Sequence, residues 1–365
     1  MTLKHELHMR RAIELALQGR GETSPNPCVG AVIVKEGSVV GEGFHLKAGL
    51  PHAEINAIKD AGESCALADM YVTLEPCCHF GRTPPCVDAI IASGIKRVIV
   101  GTKDPNPKVR GKGIKVLRKA GIEVVEKVLE SECKSLNHAY NKFITTGRPY
   151  ITAKVATSLD GKIATASGHS KWITNEKCRN YVHQIRFSSD AILVGGGTVR
   201  KDDPRLTIRL KDRGLKVPYA IIVDEKLNIP KESKVFKRNK KKTLFFTTNK
   251  ASKSRVEWIR KNGYDVHLVR AKRNGELSLP HLMDKLGSMN ITSVLVEGGG
   301  EIYSDFLSNK LIDKMVVCIA PKLIGGHGID FLPNVKIDKV AKNSQMKGVT
   351  FQSFDDNMVI EGYLR

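Results

Sequence analysis

The chain has 365 residues, a length that accommodates two domains of ordinary size. Its hydrophobic fraction of 41% supports packed cores. No apolar run reaches the roughly 18 residues of a membrane-spanning helix. A formal charge of +21, from 59 Lys and Arg against 38 Asp and Glu, fits either nucleic acid or anionic small substrates with a solvated surface.

The eight cysteines are too sparse for a secreted disulfide scaffold and fit a reducing, cytoplasmic setting. Cys28, Cys65, Cys133, Cys178 and Cys318 read as small buried hydrophobes. The first twenty residues mix His5, Glu6, Arg10 and Glu14 with apolar positions. They form an amphipathic helix rather than a signal peptide, with Leu3, Leu7, Ala12, Leu15 and Ala16 on one face.

Ser24 to Gly30 is turn-rich and enters a strand, Ala31 to Val34. Asn26 stands just before it, placed to meet a ligand; between two prolines it is equally a turn former. Lys35-Glu36-Gly37 turns into a second strand, Ser38 to Phe44. After a loop, His52 opens a helix with Ala53, Ile55, Ala57 and Ile58. A short strand, Met70 to Leu74, delivers Pro76-Cys77. Pro85 suits the first position of the next helix, with Cys86 following.

This stretch carries the chemistry. One imidazole (His52) and two thiolates (Cys77, Cys86) close three corners of a zinc tetrahedron and leave a fourth for water. Glu54 lies two residues past His52, positioned as an acid/base group rather than a ligand. A His-x-Glu followed by Pro-Cys is the arrangement of zinc-dependent base deaminases. That pattern ends in Cys-x-x-Cys, whereas here Phe80 stands three after Cys77 and Cys86 stands nine after. The longer loop offers Arg82 to a phosphate.

A strand at Lys96 to Gly101, a helix at Gly111 to Ala120 and a strand at Ile122 to Val125 complete a three-layer α/β/α sandwich. Ser131 to Phe143 reads as one helix, and Gly147-Arg148-Pro149 breaks the chain. The predicted domains are 1-146 and 147-365.

The second half opens with strand Tyr150 to Ala156 and an Asp160-Gly161 turn. A polar loop from Ser167 runs into a helix, with Thr174 as its N-cap. Strand Ala191 to Val194 meets Gly195-Gly196-Gly197-Thr198. Strands at Tyr219 to Val223, Thr243 to Thr247 and Asp265 to Val269 follow, with helices at Lys253 to Asn262 and Leu279 to Gly287. A last strand, Ser293 to Val296, feeds Glu297-Gly298-Gly299-Gly300 and a helix through Leu307. Two glycine turns at strand ends point to a nucleotide diphosphate. The spacing Gly-x-Gly-x-x-Gly is absent, so a doubly wound dinucleotide fold is not supported. The basic run Lys231 to Lys242 has only Phe236 among its cations. It lacks the aromatic ladder of a single-strand platform and reads as an exposed loop or edge.

The chain resembles the bifunctional riboflavin-biosynthesis deaminase–reductase family from about residue 5 to its C-terminus. The first half matches through Pro25-Asn26-Pro27-Cys28-Val29-Gly30, Gly43-Phe44-His45, Pro51-His52-Ala53-Glu54 and Glu75-Pro76-Cys77 to Cys86. The second matches through Lys154-Val155-Ala156, Ser158-Leu159-Asp160-Gly161-Lys162, Ser170-Lys171-Trp172-Ile173, Thr198 with Asp202-Asp203-Pro204, and Val296 to Gly300. Thr157 departs, where the family usually has Met.

The resemblance implies a cytidine-deaminase-like α/β/α domain and a dihydrofolate-reductase-like α/β domain. It implies hydrolytic deamination of a phosphoribosylamino-diaminopyrimidine, then NADPH-dependent reduction of its ribosyl part to ribityl. Zinc would be bound by His52, Cys77 and Cys86, with Glu54 as proton shuttle. Ala156, Trp172, Thr198, Asp202 and the turn Gly299, Gly300, Glu301, Ile302, Tyr303, Ser304, Asp305 would contact NADPH. Ser170, Arg186, Leu206, Arg209 and Glu297 would contact the phosphorylated substrate. A homo-oligomer, tetrameric in the family, is implied, with neither nucleic acid nor membrane as partner. A nucleic-acid deaminase with an accessory domain, and a purely structural zinc module, are the alternatives. The long Cys77 to Cys86 loop and the glycine turns weigh against the first, and Glu54 against the second.

Overall fold

The structure is a computed structural model that describes residues 3–81, 83–210, 216–336, 339 and 345–364. It divides into two compact units, Met1–Gly147 and Arg148–Arg365.

In chain order the first unit contains α1 (Leu3–Gln18), β1 (Gly30–Lys35), β2 (Ser38–Phe44), α2 (Ala53–Ala61), β3 (Asp69–Leu74), α3 (Cys86–Ala92), β4 (Arg97–Thr102), α4 (Lys112–Lys119), β5 (Glu123–Glu126), α5 (Glu130–Leu136) and α6 (His138–Thr146). The sheet runs β2-β1-β3-β4-β5. β1 is antiparallel to both neighbours, and β3, β4 and β5 are parallel. The β1–β2 turn has positive φ at Glu36 (51°) and Gly37 (88°), as a two-residue hairpin that follows strand twist requires.

Alternation along the strands sends side chains to two faces. Ile33, Met70, Val72 and Val98 meet Ala53, Ala57, Ile90 and Leu117 of α2, α3 and α4. Val32, Tyr71 and Ile99 meet Met9, Ala12 and Cys133 of α1 and α5. The layers are α/β/α, as the sequence implied. The buried face of α1 is His8, Met9, Ala12, Leu15 and Ala16. Leu3 and Leu7 lie off it and are exposed, so the expected stripe is right only in its second half.

Three boundaries also differ. Helix 131 to 143 is two helices. Asn137 interrupts it because its side chain accepts from the Cys28 N–H (2.7 Å) and donates to the Cys28 carbonyl (2.8 Å). Pro85 is the N-cap of α3, so Cys86 is the first helical residue. Asn175, not Thr174, caps the first helix of the second unit, accepting from the Cys178 N–H at 2.9 Å.

The second unit contains β6 (Tyr150–Ser158), β7 (Lys162–Ala164), α7 (Glu176–Ser188), β8 (Ala191–Gly195), α8 (Gly196–Asp202), β9 (Tyr219–Val223), β10 (Thr243–Thr247), α9 (Lys253–Lys261), β11 (Asp265–Leu268), α10 (Leu279–Ser288), β12 (Ser293–Val296), α11 (Gly300–Ser308), β13 (Lys314–Ala320), β14 (Ile329–Asp330), β15 (Lys347–Phe354) and β16 (Asn357–Tyr363). Nine strands run β11-β10-β9-β8-β12-β6-β13-β16-β15. All pairs are parallel except those made by β16. α10 and α11 bury Leu282, Leu286, Tyr303 and Phe306 against one face. α8 and α9 place Val199 and Ile259 against Ile192, Ile222 and Phe245. Thr157, the departure from the family pattern, is buried on β6 opposite Ile319.

The sequence reading placed nothing after Leu307. β15 is exposed on almost every residue and so carries no alternation to read. The basic run is two short 3₁₀ turns. The fold gathers aromatics there that the sequence keeps apart. Phe236 packs on Phe245, Trp258 and Tyr264, and Lys231, Lys240 and Lys242 lie over Trp258, Tyr264 and Tyr219.

Glu75, buried just after β3, ties the loop before Cys77 to the start of α4. Its carboxylate accepts from the N–H groups of Asp104 (3.2 Å), Gly111 (2.9 Å) and Ile114 (3.3 Å). Glu75→Ala strands three donors away from water. It is expected to lower stability by about 2–4 kcal/mol in urea unfolding followed by circular dichroism. A loss below about 1 kcal/mol would show that water replaces the carboxylate.

Candidate metal centre and reductase cavity

His52 is the N-cap residue of α2, and Cys86 opens α3. Cys77 sits in the loop leaving β3. His52 Nδ1 lies 3.2 Å from Cys86 Sγ and 3.6 Å from Cys77 Sγ. All three donor atoms fall within 4.8 Å of one another. A tetrahedral zinc with Zn–S near 2.3 Å and Zn–N near 2.0–2.1 Å sets its ligand atoms roughly 3.5–3.8 Å apart. The donor set and its spacing therefore fit zinc.

The surroundings hold these groups in place. The Cys86 N–H donates to Cys77 Sγ at 3.3 Å. The Cys86 thiol and then His52 draw Cys77 down to about 4 against its burial, while the partnership with Cys77 drives Cys86 upward. His52 is raised, chiefly by Cys77. Thr83 Oγ1 is 3.4 Å from His52 Nε2. His45 meets the His52 ring edge-on, 5.1 Å between centroids.

Glu54 is 4% exposed. Burial and the nearby Cys77 push its carboxyl up to about 7. Asn26, expected to meet a ligand, bonds His45 Nε2 at 3.1 Å, while His45 Nδ1 is 3.0 Å from the Pro51 carbonyl. His45 was missed as a positioning group because nothing in its spacing marks it. Nearby, His79 Nδ1 is buried without a hydrogen-bond partner among the described residues. Arg82, expected near a phosphate, lies outside the described residues.

The second unit holds a cavity of about 770 Å³ at the C-terminal ends of β8, β9 and β12. Such crevices are where open α/β sheets take ligands. Of the expected cofactor contacts, Thr198, Asp202, Gly299, Gly300, Glu301, Ile302 and Asp305 line it, and so does Ser170 from the substrate set. Thr198 Oγ1 accepts from the Gly299 N–H at 3.1 Å and joins the two glycine segments. The first segment is not an open turn, since α8 begins at Gly196. A Cβ at Gly197 would meet no protein atom within 4 Å. Packing does not demand that glycine, but a ligand lying close would. The volume and the bare glycine edge fit a dinucleotide.

The other expected contacts stand elsewhere. Tyr303 and Ser304 turn into the core, donating to the carbonyls of Lys154 and Gly300. Trp172 is exposed, with the Arg179 guanidinium 4.6 Å above its ring. Ala156 lies on β6 opposite Cys318.

Four of the expected substrate residues form a separate group. Arg186 and Glu297 make a two-pronged ion pair at 2.8 and 2.5 Å, about one-eighth exposed. Arg186 also donates to the Thr207 carbonyl at 2.8 Å, so three of its N–H groups are engaged. Leu206 is buried with φ of 49°. Arg209 is exposed, and its N–H donates to His183 Nδ1 at 3.3 Å. Burial and then Arg186 hold His183 down to about 4, so it accepts as a neutral ring. Arg200, Lys201 and Lys226 line the cavity but were missed. Their one sequence signal is position just past the ends of β8 and β9.

Two family models match. One, described as "RibD C-terminal domain", matches residues 149–360. The other, "Cytidine and deoxycytidylate deaminase zinc-binding region", matches residues 2–102. Riboflavin biosynthesis protein RibD of Aquifex aeolicus is 43% identical, covering 97% of this chain and 96% of the relative. The Escherichia coli protein of that name is 41% identical over 94% and 95%. Acinetobacter baumannii RibD superposes with a TM-score of 0.89 at 36% identity, over 99% and 98% of the two chains. A Thermotoga maritima structure gives 0.87 at 39% identity over 99% and 98%. It is titled a diaminohydroxyphosphoribosylaminopyrimidine deaminase/5-amino-6-(5-phosphoribosylamino)uracil reductase.

Arg186→Ala leaves the Glu297 carboxylate buried and unpaired, and is expected to cost about 3–5 kcal/mol in denaturant unfolding. Burial works against the Glu297 charge, but Arg186 keeps its carboxyl below the usual glutamate range. The pair's contribution is therefore present at neutral pH and is lost as pH falls through that lowered value. A cost independent of pH in acid would show that the charge is not the cause.

Proposed function

The chain belongs to the RibD family of riboflavin-biosynthesis proteins, and on that footing we propose how its own residues divide the family's two reactions. It is a bifunctional enzyme, a zinc-dependent deaminase followed by an NADPH-dependent reductase. One observation carries the reading. A single chain holds a His/Cys/Cys cluster beside a buried Glu and, in its other unit, a glycine-edged cavity of about 770 Å³. Residues 1–146 are assigned the deamination and residues 147–365 the reduction.

In the first step the diamino-pyrimidine ring carbon gains water oxygen and loses ammonia. His52, Cys77 and Cys86 hold zinc, which when bound supplies a Lewis acid that makes water a nucleophile at neutral pH. Glu54 takes a proton from the attacking water and returns it to the departing nitrogen. Its burial keeps that proton from bulk solvent.

In the second step the ribosyl part gains a hydride and, from solvent, a proton, and becomes ribityl. NADPH when bound supplies the hydride. Thr198, Asp202 and the backbone from Gly299 to Asp305 hold the cofactor; Tyr303 and Ser304 contribute main chain only, since their side chains face the core. Ala156 and Trp172 are carried over from the family as further cofactor contacts, from outside the residues that line the cavity. Ser170, Leu206 and Arg209 contact the phosphorylated substrate. Arg209 carries the phosphate contact, because Arg186 is largely committed to Glu297 and Thr207. That pair fixes the wall on which the substrate rests. The assembly carried over from the family is a homo-tetramer in the cytoplasm, and the substrate is a small phosphorylated pyrimidine rather than nucleic acid.

Glu54→Gln is expected to keep its zinc by elemental analysis. Ammonia release should fall by about 10²–10⁴-fold. Reduction of the already deaminated compound should stay near wild type. Loss of both steps would sink the division between units. Cys77→Ser or Cys86→Ser should each lower the zinc stoichiometry, and full zinc in either variant removes that residue from the ligand set.

A further inference from the structure

NADPH and NADH differ by one phosphate on the adenosine ribose. The inference below rests on that cofactor reading. The cavity crosses the ends of β9, β8 and β12. Neighbouring strands lie about 4.8 Å apart, so the β9 end stands roughly 10 Å from the β12 end that leads into Glu297. That is the side on which the adenosine half must lie when the reducing half faces the substrate group.

The β9 end carries both signs of charge. Asp224 and Glu225 line it, together with Arg200, Lys201 and Lys226. A free carboxylate there would bond the 2′-hydroxyl of NADH and repel a phosphate. Asp224 is neutralised, and Glu225 holds one oxygen on a backbone N–H. Asp224 is buried, ion-paired with Arg200, and accepts from the N–H groups of Lys226 (3.0 Å) and Asn228 (3.3 Å). Its Oδ2 also closes the space over Gly196, where a Cβ would meet it at 1.8 Å. Glu225 accepts from the Leu277 N–H at 3.1 Å. Lys201 and Lys226 are exposed at the cavity wall, and neither makes an ion pair among the described residues.

We propose that Lys201 and Lys226 determine cofactor specificity by taking the 2′-phosphate, while Arg200 neutralises Asp224 beside them. A phosphate between two ammonium groups gains charge-assisted hydrogen bonds that a ribose hydroxyl does not.

The test is titration calorimetry of the full-length protein with NADPH and NADH, and with 2′-AMP against 5′-AMP, without turnover. Wild type should bind NADPH at least about tenfold tighter than NADH. The double variant Lys201→Ala/Lys226→Ala should lose about tenfold for NADPH and 2′-AMP and change little for NADH and 5′-AMP. Lys201→Arg/Lys226→Arg should retain the preference. Circular dichroism confirms that each variant folds. Equal losses for both nucleotides, or undiminished NADPH binding in the alanine pair, would overturn the proposal and leave the cofactor reading standing. Failure of the wild type to bind either nucleotide would overturn both.

Discussion

His52 Nδ1 and Cys86 Sγ approach to 3.2 Å, and the first unit is built to bring two helix starts that close. The approach depends on how tightly α2 lies on β2. A Cβ at Gly43 would sit 2.4 Å from the Ala57 nitrogen and 2.5 Å from the Ala53 carbonyl oxygen, so only glycine admits the helix there. Ala53, Ala57 and Ala61 keep the helix face thin on the same side. The parallel pair β3 and β4 then aims the Cys77 loop at the helix starts, and Glu75 fixes that loop to α4. A metal centre of this kind needs its ligands placed by rigid elements, since loosely held donors would not keep tetrahedral spacing. Glu54 follows from the same placement. As the second residue of a helix whose start faces the cluster, it is buried beside it.

The second unit solves a different problem with the same device, the C-terminal edge of a parallel sheet. Strands β8, β9 and β12 end together, and their connections supply glycine backbone, hydroxyls and charge to one cavity. The Arg186–Glu297 pair stands at the end of β12, where the chain turns toward Gly299. Its burial makes it costly to break. This pairing commits Arg186 to Glu297 and Thr207 rather than leaving it free for a phosphate.

Much of this was legible in the sequence. The clustering of His52, Cys77 and Cys86 was readable because metal chemistry demands particular residue types at short, ordered spacings. The α/β/α order followed from alternating apolar runs and turn residues. The break at Asn137 was not legible, because its cause is a pair of hydrogen bonds to Cys28, 109 positions away. Leu3 and Leu7 continue a helical stripe by spacing but overrun the sheet that buries its second half. Of the strands after Leu307, β15 carried no pattern because it is exposed on almost every residue. Arg186 looked like a free guanidinium because only the fold brings Glu297 against it. Lys201 and Lys226 were two surface lysines among many, and only the cavity distinguishes them.

The two reactions can be followed together in one vessel, NADPH by its near-ultraviolet absorbance and ammonia by a coupled assay. Zinc-replete wild-type protein would start from the diamino phosphoribosyl compound. Ammonia should appear first, and NADPH should then be consumed one for one with it. NADPH consumption without ammonia would contradict the order of the two steps. Ammonia without NADPH consumption would contradict the assignment of residues 147–365 to the reduction.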